Sequence, residues 1–122
     1  MNFLITGGSR GLGAGIVLHA IEEGHDVAFG YRSNKTAAEA VIEQAKTIRP
    51  DCKCMAYQVD VSDSASVEKF HDEVMDDFDD IEAIVNCAGV NRDNLLMSMS
   101  DEEWQQVIST NLSGSFYVVR QF

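Results

Sequence analysis

Asn2-Phe3-Leu4-Ile5-Thr6-Gly7-Gly8-Ser9-Arg10-Gly11-Leu12-Gly13 is the stretch that decides the fold. Its first five residues make a short apolar run of the kind a buried parallel strand shows. Glycines follow at once. Beyond them Ile16, Val17, Ala20 and Ile21 recur at helical spacing until Gly24 supplies a C-cap. Glycines let a backbone turn sharply and let a pyrophosphate approach a helix N-terminus, where unpaired N–H groups and the dipole favour anions. The spacing Gly7-x-x-x-Gly11-x-Gly13 is not the G-x-G-x-x-G fingerprint, because Ile16 takes the place of a third glycine counted from Gly11. A glycine cluster alone could be a tight turn. At the first strand–helix junction of a βαβ unit it reads as a nucleotide site.

Outward from this stretch the same alternation repeats. Asp26 to Tyr31 reads as a second strand, and Ala37, Ala38, Val41, Ile42, Ala45 and Ile48 mark a second helix that Pro50 ends. Cys52 to Val59 is a third strand. Ser62 or Asp63 caps a third helix whose inner stripe is Val67, Phe70, Val74 and Phe78. Ile81 to Cys87 is a fourth strand, and Ser100 with Glu103 forms a capping box that opens a last helix. The expected inner stripe of that helix is Trp104, Val107, Ile108, Ser115 and Phe122, with Asn111 falling inside it as a buried amide. Four strand–helix alternations predict one α/β domain over residues 1–122: a Rossmann-type parallel sheet of strand order 3-2-1-4 with flanking helices and right-handed crossovers.

Composition narrows the function classes. The chain has 122 residues, 45% of them hydrophobic, which suits one core and excludes a disordered segment. Nine basic against twenty acidic residues give a net charge of −11, so nucleic acid and membrane surfaces are poor partners. Three cysteines, Cys52, Cys54 and Cys87, are an odd count and point to a reducing, cytoplasmic setting rather than a disulfide framework. His19, His25 and His71 match no metal-ligand spacing.

Several of these residues together carry a resemblance. Thr6-Gly-x-x-x-Gly-x-Gly13, Asp60-Val61, Asn86-Cys87-Ala88-Gly89 and Asn111-Leu112 resemble, in order, the motifs of the short-chain dehydrogenase/reductase family. Asn91-Arg92-Asp93-Asn94-Leu95-Leu96-Met97, with Asp101-Glu102-Glu103-Trp104, is similar to the bacterial 3-oxoacyl-[acyl-carrier-protein] reductases within it. Cys87 departs from the family motif, which has a second asparagine there. The resemblance covers the whole chain but about the first half of such an enzyme.

It implies that Gly7, Ser9, Arg10, Gly11, Leu12, Gly13, Asp60, Val61, Asn86, Ala88 and Gly89 contact a nicotinamide dinucleotide, with Asp60-Val61 at its adenine. It also implies that Asn111 helps hold a water in a proton relay. The family's catalytic serine and Tyr-x-x-x-Lys would follow a fifth strand, beyond this sequence. The expectation is therefore a cofactor-binding half, inactive alone, of an enzyme that reduces a 3-oxoacyl thioester on acyl carrier protein or coenzyme A and assembles as a homo-oligomer. The alternative expectation is a non-catalytic NADP(H)-binding or interaction module that needs a second chain. With no fifth strand, the fourth is expected to present an open edge that favours self-association.

The choice of dinucleotide is read from the residues. An acid at the end of the second strand would bond the adenosine ribose and repel a 2′-phosphate. This chain has Gly30-Tyr31-Arg32-Ser33 there, and its nearest acid, Asp26, lies at the opposite end of that strand. Arg32 suits a phosphate, Ser33 can add a hydroxyl donor, and Arg10 can face the same group, so the cofactor expected is NADP(H). Tyr31-Arg32-Ser33-Asn34-Lys35 also satisfies Tyr-x-x-x-Lys, but at the adenosine end, out of reach of any reacting carbonyl.

Overall fold

The computed structural model describes residues 1–89 and 98–122. The subfamily stretch Asn91 to Met97 lies outside the described residues. In chain order the elements are β1 (Asn2–Thr6), α1 (Gly11–Glu22), β2 (Asp26–Tyr31), α2 (Lys35–Ile48), β3 (Cys54–Gln58), α3 (Ser64–Asp77) and β4 (Ala83–Asn86). A helix then runs through α4 (Asp101–Val107), a π-helical segment (Ile108–Ser113) and α5 (Gly114–Gln121). The four strands form one parallel sheet in the order β3-β2-β1-β4, as the sequence predicts.

Strand periodicity sends alternate residues of β1 to opposite faces, and both faces are covered. Leu4 and Ala28 face one layer, where Tyr57, Val59, Val67, Phe70, Val74, Phe78 and Val118 pack. Ile5, Val27 and Phe29 face the other, against Val17, Ala20 and Ile21 of α1 and Ala38, Val41 and Ala45 of α2. All four residues of the expected α3 stripe are buried. Phe70 is fully buried and meets the Tyr57 and Phe122 rings at centroid distances of 5.9 and 5.5 Å.

Each helix terminus has a local cause. Gly24, at a φ of +90°, follows the α1 C-cap and donates its N–H to the Ile21 carbonyl at 2.9 Å. Asn34 caps α2 by accepting from the Ala37 N–H at 2.9 Å, and Asp63 caps α3 by accepting from the Ala65 N–H at 3.0 Å. Ser62 instead donates its hydroxyl to Asp60. The Ser100 hydroxyl oxygen accepts from the Glu103 N–H at 3.1 Å, and the Glu103 carboxylate lies 3.3 Å from that same hydroxyl. No basic residue sits in the last turn of α3. Lys53 reaches across instead, donating to the Asp77 carbonyl at 2.6 Å with its ammonium 4.7 Å from the Phe78 ring centre.

Three expectations are corrected. β3 begins at Cys54 rather than Cys52, because the Cys52 N–H turns back to the Arg49 carbonyl and the Lys53 N–H goes to the Asp26 carboxylate. β4 is limited to Ala83–Asn86 and not Ile81–Cys87; it stops at Asn86 because the next two N–H groups, at Cys87 and Ala88, are taken by a threonine hydroxyl. The inner stripe of the last helix is Thr110, Gly114 and Val118, whereas Trp104 is half exposed and Asn111 is exposed. The π-helical segment widens the turn, so the face counted forward from Trp104 at α-helical spacing slips by about one residue. Phe122 keeps its inward contact on Phe70. Among the described residues, no helix is long and apolar enough to cross a membrane.

A buried phenol and a half-buried thiol, both of raised pKa, make alkaline stability testable. Burial raises the Cys54 thiol from 9.0 to about 11. Burial first, and then the 2.7 Å hydrogen bond to Asp77, push the Tyr57 phenol far above its ordinary value. Below about pH 8 both states hold these protons and the full contribution is present. As pH rises further, the unfolded chain releases protons that the folded chain retains, so stability must fall. Urea midpoints are expected to drop between about pH 8 and about pH 10, and the drop should be shallower in Tyr57→Phe and shallowest in Cys54→Ala/Tyr57→Phe.

Candidate functional site

A cleft of about 670 Å³ opens at the C-terminal ends of the strands, where β1 has β2 on one side and β4 on the other. In open parallel sheets this is the switch point at which ligands bind. Its floor is backbone. Gly7, at a φ of +64°, lies so close to Ala88 that a Cβ would come within 2.9 Å of the Ala88 Cα and N. A Cβ on Gly13 would run into the Gly7 carbonyl. The Thr6 hydroxyl, almost fully buried, accepts from both the Cys87 and Ala88 N–H groups at 3.1 Å and locks the end of β4 to the end of β1. The Gly8 N–H donates to the Gly30 carbonyl at 3.0 Å, which ties the loop to β2.

The loop delivers the N-terminus of α1 into this cleft. Arg10 at the N-cap gives no side-chain cap, and the first turn holds no acid, so the positive end of the helix is uncompensated by its own residues. A glycine floor beneath an uncapped helix N-terminus fits a pyrophosphate. On the far side, Asp60 is held in place. Its Oδ1 accepts from the Ser62 N–H at 3.1 Å and the Ser62 hydroxyl at 2.6 Å, and its own N–H donates to Ser66 Oγ at 2.9 Å.

Of the expected contact residues, Gly7, Ser9, Arg10, Gly11, Leu12, Gly13, Arg32, Ser33, Asp60, Val61, Ala88 and Gly89 line the cleft. Asn86 does not; it is exposed at the end of β4. Asn111 is not in the lining either, but its Oδ1 would stand 3.0 Å from a Cβ on Gly89, so it reaches the β4 end of the cleft from the π-helical segment. Tyr31 and Asn34 also line the cleft, at the β2–α2 junction and across β1 from Gly89. Gly30, Val59, Cys87 and Thr110 complete the lining among the described residues, and like Tyr31 and Asn34 they were not among the expected contacts. Val59 and Cys87 directly neighbour expected contacts, and Gly30 lies two residues before Arg32. Thr110 is visible only once the helix phase is known. Among the described residues, no group of three or more His, Cys, Asp or Glu side chains could hold a metal.

A family model described as short chain dehydrogenase matches residues 2–122. The chain belongs to that family. Its similarity to the 3-oxoacyl-[acyl-carrier-protein] reductase FabG of Staphylococcus aureus is 43% identity over 118 residues, covering 97% of this chain and 47% of the relative. A short-chain dehydrogenase of Burkholderia cenocepacia, solved in complex with NADP, superposes with a TM-score of 0.91 at 28% identity, covering 98% of this chain and 48% of that one. An alcohol dehydrogenase of the archaeon Thermococcus sibiricus, complexed with 5-hydroxy-NADP, gives 0.92 at 30% identity over 99% of this chain and 51% of its own. The chain spans about half the length of the curated relatives it matches.

The glycine floor can be tested by two substitutions in one helix. Gly13→Ala forces a methyl group against the Gly7 carbonyl and is expected to destabilise by about 1–3 kcal/mol. Gly15→Ala, with nothing within 4 Å of the new Cβ, is expected to stabilise by about 0.4–1 kcal/mol. Urea denaturation of the two variants checks both signs.

Proposed function

We propose that this chain carries the dinucleotide-binding part of an NADP(H)-dependent ketoreductase that acts on 3-oxoacyl thioesters. The observation that carries the cofactor choice is that Arg10, Arg32 and Ser33 line one cleft while the end of β2 offers no acid. Asp26, the acid of that strand, is at its other end, with its carboxylate accepting from the Lys53 N–H at 2.8 Å. An Arg guanidinium is planar, permanently charged and matched to phosphate oxygens. A 2′-phosphate beside these groups gains attraction, and among the described residues the end of β2 places no carboxylate against it.

In this reading the α1 N-terminus and the Gly7–Gly13 floor take the pyrophosphate, and Asp60 with Val61 meets the adenine. Ala88 and Gly89, with Asn111 beside them, bound the end where the nicotinamide lies. The bound dinucleotide supplies the hydride. This chain's residues bind it, orient it and hold an amide at the far end of the cleft, where Asn111 can bond a water. The substrate class, a 3-oxoacyl thioester on acyl carrier protein or coenzyme A, is supported by the identity to the Staphylococcus aureus reductase. A homo-oligomer is supported by Leu112, Phe116 and Val119, which expose apolar surface of a kind subunit contacts use.

Calorimetric titration with NADPH and NADH tests the cofactor assignment. NADPH is expected to bind more tightly, and Arg32→Asp is expected to reduce that preference about tenfold or more, equivalent to ~1.4 kcal/mol. Equal affinity of the unaltered protein for both dinucleotides would overturn the reading.

A further inference from the structure

We propose that Gln58 is a positioning residue for dinucleotide choice: its side-chain amide holds the Arg32 carbonyl and thereby aims the Arg32 guanidinium at the 2′-phosphate. This inference rests on the reading of Arg32 given above. β2 and β3 run in register as far as Tyr31 opposite Gln58. The Val59 N–H then donates to the Tyr31 carbonyl at 2.9 Å, the last rung that backbone provides. At the next residue the chain leaves the sheet and bends through Arg32 and Ser33. There a side chain continues the ladder, with Gln58 Nε2 donating to the Arg32 carbonyl oxygen at 3.1 Å.

Beyond the bend the chain is anchored again. The Lys35 N–H donates to the Ser33 carbonyl at 3.1 Å, and Asn34 caps α2. Arg32 therefore sits between two fixed points, and its own peptide plane is fixed by Gln58. The orientation of that plane sets the direction in which the Arg32 side chain leaves the backbone. Arg32 is exposed, and among the described residues no carboxylate forms an ion pair with it. The backbone is thus the main constraint on where its charge points. Gln58 is itself exposed and does not line the cleft, so it acts through Arg32 rather than on the dinucleotide. An amide is suited to this task, since its NH2 group donates, whereas a carboxylate can only accept.

The test is a double-mutant cycle read by calorimetric titration of NADPH and of NADH. The four proteins are the unaltered chain, Gln58→Met, Arg32→Ala and the double variant. Methionine keeps the length of the side chain and removes the donor. Gln58→Met is expected to weaken NADPH about three- to tenfold, the range one hydrogen bond supports, and to leave NADH within about twofold. In the Arg32→Ala background the same substitution is expected to change neither ligand, because the two residues act as one unit. An unchanged NADH affinity also shows that the fold and the rest of the cleft are intact.

Suppose Arg32→Ala lowers the preference for NADPH and Gln58→Met does not. Then the positioning role is wrong while the reading of Arg32 stands. A Gln58→Met variant that weakens both dinucleotides equally reveals a structural role alone and also overturns the proposal. If Arg32→Ala leaves the preference unchanged, the reading of Arg32 fails and the role of Gln58 fails with it.

Discussion

The cleft depends on three backbone segments meeting at the end of β1 with no side chain between them. Gly13 lies beneath the Gly7 carbonyl, Gly7 lies against Ala88, and the Thr6 hydroxyl holds the two N–H groups that end β4. A hydroxyl has two lone pairs, so one threonine can satisfy both donors. Without it, two backbone N–H groups in a half-buried place would lose their partner, at roughly 1–3 kcal/mol for a buried group. This junction brings α1 close to the sheet and opens the space above it. Covalent order alone does not place Gly7 beside Ala88, residues eighty-one apart. The parallel pairing of β1 with β4 does.

Charge is arranged locally against the global balance. The chain carries a net charge of −11, yet the cleft is edged by Arg10 and Arg32 and faces the positive end of α1. At physiological ionic strength the Debye length is about 8 Å, so acids on distant surfaces are screened. The acids of the α3 C-terminal region, Asp76, Asp77, Asp79 and Asp80, line no part of the cleft. Among the described residues Asp60 is the one carboxylate in the lining, and Ser62 engages one of its oxygens through two hydrogen bonds. An anionic ligand therefore meets a cationic rim on an acidic protein.

Much of this was legible in the sequence, and the misses have physical causes. Strand order followed from alternation, and the α3 stripe followed from 3.6-residue spacing, since both reflect burial on a regular element. The Gly7–Gly13 segment was legible because only glycine tolerates such close backbone approach. Asn111 was misplaced because spacing arguments assume an α-helix, and the π-helical segment breaks that assumption between Trp104 and Gly114. The ends of β3 and β4 were overextended because Cys52 and Cys87 continue the apolar pattern, while their N–H groups bond to Arg49 and Thr6 rather than to a neighbouring strand. Pattern reports side-chain burial; strand limits report where backbone donors go.

The β2–β3 edge illustrates the part that pattern cannot reach. Arg32 is recognisable from the sequence because its charge and its place after a strand both carry meaning. Gln58 carries none on its own: it is an exposed polar residue at a strand end, the least informative kind of position. Its significance arises only from register, which sets Gln58 opposite Tyr31 and leaves its amide one residue short of the bend. A slip of one residue in that pairing would turn the amide to the other face of the sheet. The core prevents the slip, because Tyr57 and Val59 fill one face beside Phe70 and Val67 while Ala56 packs on the other. Burial thus fixes the register, register fixes the Arg32 carbonyl, and the direction of an exposed guanidinium is set by apolar packing that itself never touches ligand.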